Sequence, residues 1–145
     1  MFGEKYEKIL LIGRDAGLLI MRAGIGLFFF YVHGLPKITA GAPLWEKLGA
    51  AMWNLGIHFA PVFWGFMASS AEFAGGFLLI IGLLTRPAAA ILAFDMLVAA
   101  TMHLKMGQGM ETASHAGEIL FFCMGLFFTG AGKYSLDQAI FKGKF

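Results

Sequence analysis

Ionisable side chains lie inside the longest apolar stretches of this 145-residue chain, where they must face a protein interior and have partners. In hydrocarbon surroundings each costs about 2.5–3.5 kcal/mol when it is charged. Their positions along the stretches divide them into two groups. The inner group comprises Arg22, Glu72 and Asp95. The outer group comprises His33, His103, His115 and Glu118, with Lys37 just outside it.

The inner group suggests proton chemistry. Arg22 is expected to meet Glu72 or Asp95, either as a structural ion pair or as part of a site. Counting Glu118, three carboxylates face one permanently charged arginine, so at least one acid lacks such a partner and becomes a candidate proton carrier. We therefore predict that Glu72 and Asp95 exchange protons in a catalytic role, with Arg22 supplying the fixed positive charge.

The outer group suggests ligand binding. Three histidines and a carboxylate could ligate a metal, hold a non-covalent haem, exchange protons with a quinone headgroup, or bond loop carbonyls. His115 and Glu118 are three residues apart, which puts them on one face of a helix. We predict that His33, His103, His115 and Glu118 contact a quinone, and we assign no metal ligands.

Composition identifies the surroundings of these residues. The chain is 59% hydrophobic and 14% charged, with a mean hydropathy of +0.74, whereas soluble domains are about a quarter charged. It is therefore expected to lie in a lipid bilayer. A net charge of +2 is too small for nucleic-acid binding. The single cysteine, Cys123, cannot form an internal disulfide and is expected to pack in the core.

Four apolar runs are long enough to cross a membrane. We predict an all-α membrane protein that forms a single domain. The short connections favour an antiparallel up-down-up-down four-helix bundle. The predicted spans are Ala16 to His33, Pro61 to Leu84, Pro87 to Leu104 and Ser114 to Ala131.

The connector between the first two spans, residues 34–60, is too apolar for an ordinary loop. It has apolar residues at helical spacing and two tryptophans, namely Leu44, Trp45, Leu48, Met52, Trp53 and Leu55. This pattern predicts an amphipathic segment at the membrane surface, and a lid over a site would have the same features.

Basic residues predict the orientation, because they are enriched in cytoplasmic loops. On the side of the termini lie Lys5, Lys8, Arg14, Arg86, Lys133, Lys142 and Lys144, against Lys37, Lys47 and Lys105 on the other side. Both termini are therefore expected to be cytoplasmic.

Three segments carry a family resemblance. They read RAGIGLFFFYVHGLPK, AEFAGGFLLIIGLLTRPAA and GAGKYSLD. In order and spacing, from about Ala16 to Leu136, they resemble the DoxX family of small bacterial and archaeal membrane proteins. The most specific block comprises Glu72, Gly75, Gly76, Gly82, Leu83, Thr85 and Arg86.

The resemblance implies a plasma-membrane protein associated with redox chemistry. The family takes its name from a thiosulfate:quinone oxidoreductase, in which a related membrane subunit works with a second subunit at the quinone pool. We therefore expect a redox-associated subunit that binds a quinone or a similar small hydrophobic ligand. The alternatives are a noncatalytic membrane partner or scaffold for an oxidoreductase, and a small carrier of a metal or sulfur species.

Small-residue spacings, such as Ala71 to Gly75, allow helices to approach closely. That approach would serve the interior of the bundle or a homo-oligomer equally well. The family resemblance also leads us to expect a redox-protein partner, like the second subunit of the related oxidoreductase.

Overall fold

Helices and turns make up residues 2–142, which are the residues that the computed structural model describes, and no strand occurs in that range. Lys144, counted above among the cytoplasmic basic residues, lies outside the described residues. The helices are α1 (Phe2–Leu27), a π-helical segment (Phe28–Gly34), α2 (Leu35–Ala40), α3 (Ala42–Gly49), a 3-10 helix (Ala50–Leu55), α4 (Pro61–Ile81), α5 (Thr85–Lys105), α6 (Gly109–Thr129) and α7 (Leu136–Phe141).

Four helical stretches are long and apolar enough to cross a membrane, which confirms the predicted all-α class with four membrane-length helices. They are Ile9–Ala40, Pro61–Ile81, Thr85–Lys105 and Gly109–Thr129. The second ends earlier than predicted, because Gly82 adopts a left-handed conformation with φ of 67° and terminates α4. The fourth begins earlier than predicted, at Gly109.

The first stretch is much longer than the predicted span, which ended at His33. The helix continues through the π-helical segment into α2, since Pro36 lies in the first turn of α2, where its missing N–H is tolerated. It ends only at Gly41, whose φ of 83° suits glycine. The extension brings Lys37 beside the middle of α4, whereas the sequence placed it just outside the span.

Glycines allow the first helical stretch and α3 to pack closely on α4. The backbone at Gly34 lies against Phe73, and that at Gly76 lies against Gly26 and Phe30. The Phe30 ring stacks on Phe73 with centroids 4.6 Å apart. These contacts fix the position of the first helix along α4, and therefore the side chains that face one another across the pair.

The largest apolar cluster joins the long helices around fully buried Leu79, Leu92 and Cys123. Cys123 is a free thiol in this core, in agreement with the packing role expected for it. A second cluster joins the 3-10 helix to α5 through Met52 and Val98. The connector between the first two spans thus packs against the bundle.

Replacing Gly65 with alanine should lower the thermal unfolding temperature, because the added methyl group would overlap the Trp45 carbonyl and push α3 away from α4. Overpacking of this kind costs typically about 1–3 kcal/mol. Gly24→Ala is the control, since a Cβ at Gly24 meets nothing within 4 Å. Thermal unfolding in one detergent compares the two variants. Unchanged stability of Gly65→Ala would contradict the close packing of α3 on α4.

Candidate functional site

An ion pair between Lys37 and Glu72 lies at the centre of the candidate site. Lys37 Nζ is 2.7 Å from Glu72 Oε1 and 2.6 Å from Oε2. The Glu72 side chain is 3% exposed and that of Lys37 is 30% exposed. Glu72 lies halfway along α4, eleven residues after Pro61 and nine before Ile81. The pair is therefore deep in the helical bundle.

Local structure holds Lys37 in place. It lies in the six-residue helix α2, and the indole N–H of Trp45 donates to its backbone carbonyl at 2.9 Å. Phe29, His33 and Lys37 are each four residues apart. This spacing, which can be read from the sequence alone, puts Lys37 on the same helix face as His33.

Two cavities meet at this ion pair. The lateral cavity has a volume of about 520 Å³ and lies between the connector, α4 and α5, with Met52, Trp64 and Phe94 among its walls. The central cavity has a volume of about 390 Å³ and is lined by residues of all four long helical stretches. Lys37, Glu72, Ala99 and His103 line both cavities. These volumes fall in the usual range for small-molecule sites.

Most of the predicted site residues line these cavities. Asp95 lines the lateral cavity and is close enough to Glu72 and Lys37 to interact electrostatically with both. His33 and His115 line the central cavity, with ring centroids 6.4 Å apart. His103, at the boundary of the two cavities, has its Nδ1 atom 2.6 Å from the Gln108 side-chain oxygen.

Glu118 lies apart from these residues. It is exposed and lines neither cavity, although His115, Ala116 and Ile119 on the same helix line the central one. With about 100° of rotation per residue, Ala116 and Ile119 are displaced from His115 in one direction and Glu118 in the other. In this structure, therefore, His115 lines the central cavity and Glu118 does not, despite their spacing of three residues.

Trp64 is a cavity residue that the sequence analysis missed. Its indole N–H is buried and has no hydrogen-bond partner among residues 2–142. A buried donor without an acceptor costs about 1–3 kcal/mol, so an acceptor supplied by a ligand would relieve that cost. The sequence feature that could have identified Trp64 as a cavity residue is its position near the start of the second span, next to the apolar connector.

A metal centre has no ligand set in the described part of the chain. No group of three or more His, Cys, Asp or Glu side chains within it is arranged to hold a metal ion. The polar groups around the cavities are instead suited to hydrogen bonding and proton exchange.

A family model named DoxX matches residues 17–104, which is more than half of the chain. The chain belongs to the DoxX family. The matched segment includes Lys37, Glu72, Asp95 and His103, whereas His115 and Glu118 lie beyond it. No curated protein and no solved structure matches the chain.

Arg22 of this DoxX-family protein binds backbone carbonyls and neither of the carboxylates expected for it. It is 1% exposed and donates to Leu79 at 2.7 Å, Ile80 at 2.8 Å, Ala131 at 3.1 Å and Tyr134. Leu79 is seven residues beyond Glu72, or about 10.5 Å along α4. The last carbonyls of a helix lack internal partners and carry partial negative charge, which is why this position attracts a cation.

The segment after α6 completes the same end of the bundle. Asp137 accepts hydrogen bonds from the backbone N–H groups of Leu84 at 2.7 Å and Thr85 at 2.9 Å, where α5 begins. Its own N–H donates to the Gly82 carbonyl at 2.8 Å. Two of the sequence blocks that resemble the DoxX family, residues 82–86 and 134–137, therefore meet in a structural joint.

Replacing Arg22 with methionine should strongly destabilise the DoxX-family fold, because four backbone carbonyls would lose their donor. Each buried carbonyl without a partner costs about 1–3 kcal/mol. Arg14→Met on the same helix is the control, since the Arg14 side chain is 66% exposed. Thermal unfolding in one detergent measures both variants, and equal unfolding temperatures would refute the structural role of Arg22.

Proposed function

We propose that this DoxX-family membrane protein is a redox-associated subunit that binds a quinone, or a similar small hydrophobic redox ligand, in the cavities around Lys37 and Glu72. The observation that carries the proposal is the buried ion pair between two largely apolar cavities. Apolar walls with a few polar groups are typical of sites for small hydrophobic ligands.

The hydrogen-bond donors suit a ligand with carbonyl acceptors. Lys37 carries an ammonium group, and Trp64 has a buried N–H without an acceptor in the described chain. Both line the lateral cavity. A flat ring with carbonyl oxygens on opposite edges would satisfy donors on two walls, which favours a quinone over an ordinary lipid chain.

Access from the bilayer would be direct. Phe63, Met67, Ile91 and Phe94 line the lateral cavity on α4 and α5, and each is at least 41% exposed. A hydrophobic ligand could therefore enter sideways from lipid without crossing water. α3 and the 3-10 helix supply Leu48 and Met52 to the same cavity, which supports a covering role for the connector in addition to its predicted position at the membrane surface.

Reduction of a quinone to a quinol takes up two electrons and two protons. Lys37 neutralises only one of the carboxylates of Glu72 and Asp95, so the cluster is electrically neutral when the other carboxyl group holds a proton. That proton and one from the imidazolium form of His103 would pass to a ligand in the lateral cavity, which Glu72, Asp95 and His103 all line. The electrons would come from a bound cofactor, a substrate or an oxidoreductase partner, because the chain's single cysteine cannot form an internal dithiol couple.

The predicted orientation belongs to the same proposal. The four spans would run antiparallel in a bacterial or archaeal plasma membrane, with both termini cytoplasmic. The histidines would then lie in the half of the bundle away from the cytoplasm, and the Lys37–Glu72 pair near its middle. Arg22 would stabilise the cytoplasmic end, and Lys37 would take over the charge-supplying role first expected of Arg22.

Binding of a short-chain quinone tests the proposal, measured by calorimetry on the full chain in neutral detergent. Lys37→Gln and Trp64→Phe should each weaken binding at least about tenfold, because the first replaces a charged donor by a shorter neutral one and the second removes the N–H donor. Lys47→Gln and Trp53→Phe are the matched controls, since Lys47 and Trp53 are exposed and line neither cavity. Glu118→Gln should likewise leave the affinity unchanged.

Two results would contradict the proposal. One is saturable binding that survives both cavity substitutions, which would place the ligand elsewhere. The other is no binding by the wild-type chain, which would favour the role of a noncatalytic partner for an oxidoreductase. Circular dichroism of every variant establishes that weaker binding is not caused by loss of the helical fold.

A further inference from the structure

A third cavity, of about 690 Å³, lies at the end of the bundle where residues 82–86 and 134–137 meet. Residues early in α1, the beginning of α5 and the chain after α6 surround it. Three basic residues line it, namely Arg14, Arg86 and Lys133, and we call it the basic cavity. It shares no lining residue with the lateral or central cavity.

The acidic residues of the basic cavity are already engaged. Asp15 is buried, pairs with Arg14 at 3.5 Å and accepts from the Lys133 backbone N–H at 3.3 Å. Asp137 is buried against the start of α5, as described above. The basic side chains are exposed, and neither Arg86 nor Lys133 forms an ion pair with a side chain of residue 7 or residues 9–142, which are the side chains that the structure describes. The cavity therefore has positive charge available to an anion.

Apolar surface adjoins this positive charge. Leu11 and Ile12 line the cavity and are 49% and 58% exposed. Phe128 has a side chain 73% exposed, and its carbonyl lies 3.4 Å from an Arg86 nitrogen. Cationic groups next to exposed apolar side chains, at the end of membrane-length helices, match an amphiphile with an anionic head and hydrocarbon chains.

We propose that the basic cavity binds the phosphate-bearing headgroup of an anionic phospholipid. The planar guanidinium groups of Arg14 and Arg86 suit the bidentate recognition of phosphate oxygens, and Lys133 would add a point charge. The acyl chains would lie along Leu11, Ile12 and the neighbouring face of α6. A free phosphate ion shares the headgroup chemistry but would gain nothing from this apolar rim.

The test reconstitutes the full chain in bilayers of equal parts phosphatidylcholine and phosphatidylglycerol, extracts it gently and counts bound lipids by native mass spectrometry. The wild type should retain phosphatidylglycerol in preference to phosphatidylcholine. Each charge removed from the cavity should lower that preference about fivefold, as expected for one basic residue near an anionic headgroup. The variants are Arg14→Gln and the double variant Arg86→Gln with Lys133→Gln.

Lys142→Gln is the matched control. Lys142 is an exposed basic residue directly after α7, and it does not line the cavity. An equal loss in Lys142→Gln, or no preference in the wild type, would overturn the proposal. Arg14→Gln keeps the test valid if the double variant fails to fold, since the exposed Arg14 side chain bonds, among the described side chains, to its neighbour Asp15 alone. Displacement of phosphatidylglycerol by inorganic phosphate would identify a free-phosphate site and overturn the lipid assignment.

Discussion

Burial of the Arg22 guanidinium group is the constraint on which the rest of the structure depends. A permanent charge in an apolar interior needs partners for its donors, and Arg22 makes four hydrogen bonds to carbonyls from two separate parts of the chain. The bonds join α1 to the end of α4 and to the segment after α6. With that end fixed, the packing of the first helix along α4 determines that Lys37 meets Glu72.

Arg22 and Lys37 illustrate two ways to hold a cation inside the helical bundle. Backbone carbonyls cannot lose or gain a proton, so the surroundings of Arg22 are chemically inert and hold the fold together. Lys37 instead faces ionisable Glu72 and Asp95 and borders two cavities. A ligand can compete for such a cation, and its partners can exchange protons. The contrast explains why the candidate site lies at Lys37.

The sequence was a good guide to the elements and a partial guide to the site. Apolar runs identified four helices, and the cost of buried charge selected Glu72, Asp95 and the histidines. The partner of Glu72 could not be predicted, because the first helix continues past His33 and Pro36, which sequence patterns treat as boundaries. Glu118 lies outside the cavity that His115 lines, because a spacing of three residues fixes a shared face only approximately. Trp64 was missed because one unpaired indole N–H is visible only in three dimensions.

The π-helical segment bears on how this chain can change in length. Residues 28–34 lie between Arg22 and Lys37, and each of these two residues is fixed to its own partners on other parts of the bundle. A π turn holds one residue more than an α turn, so the segment accommodates a chain length that an uninterrupted α-helix would not. A single-residue deletion there can be absorbed by converting the π turn into an α turn, which leaves Lys37 facing Glu72. A further insertion cannot be absorbed in this way and would rotate Lys37 by about 100°, so between these two cations the chain tolerates the loss of one residue better than the gain of one.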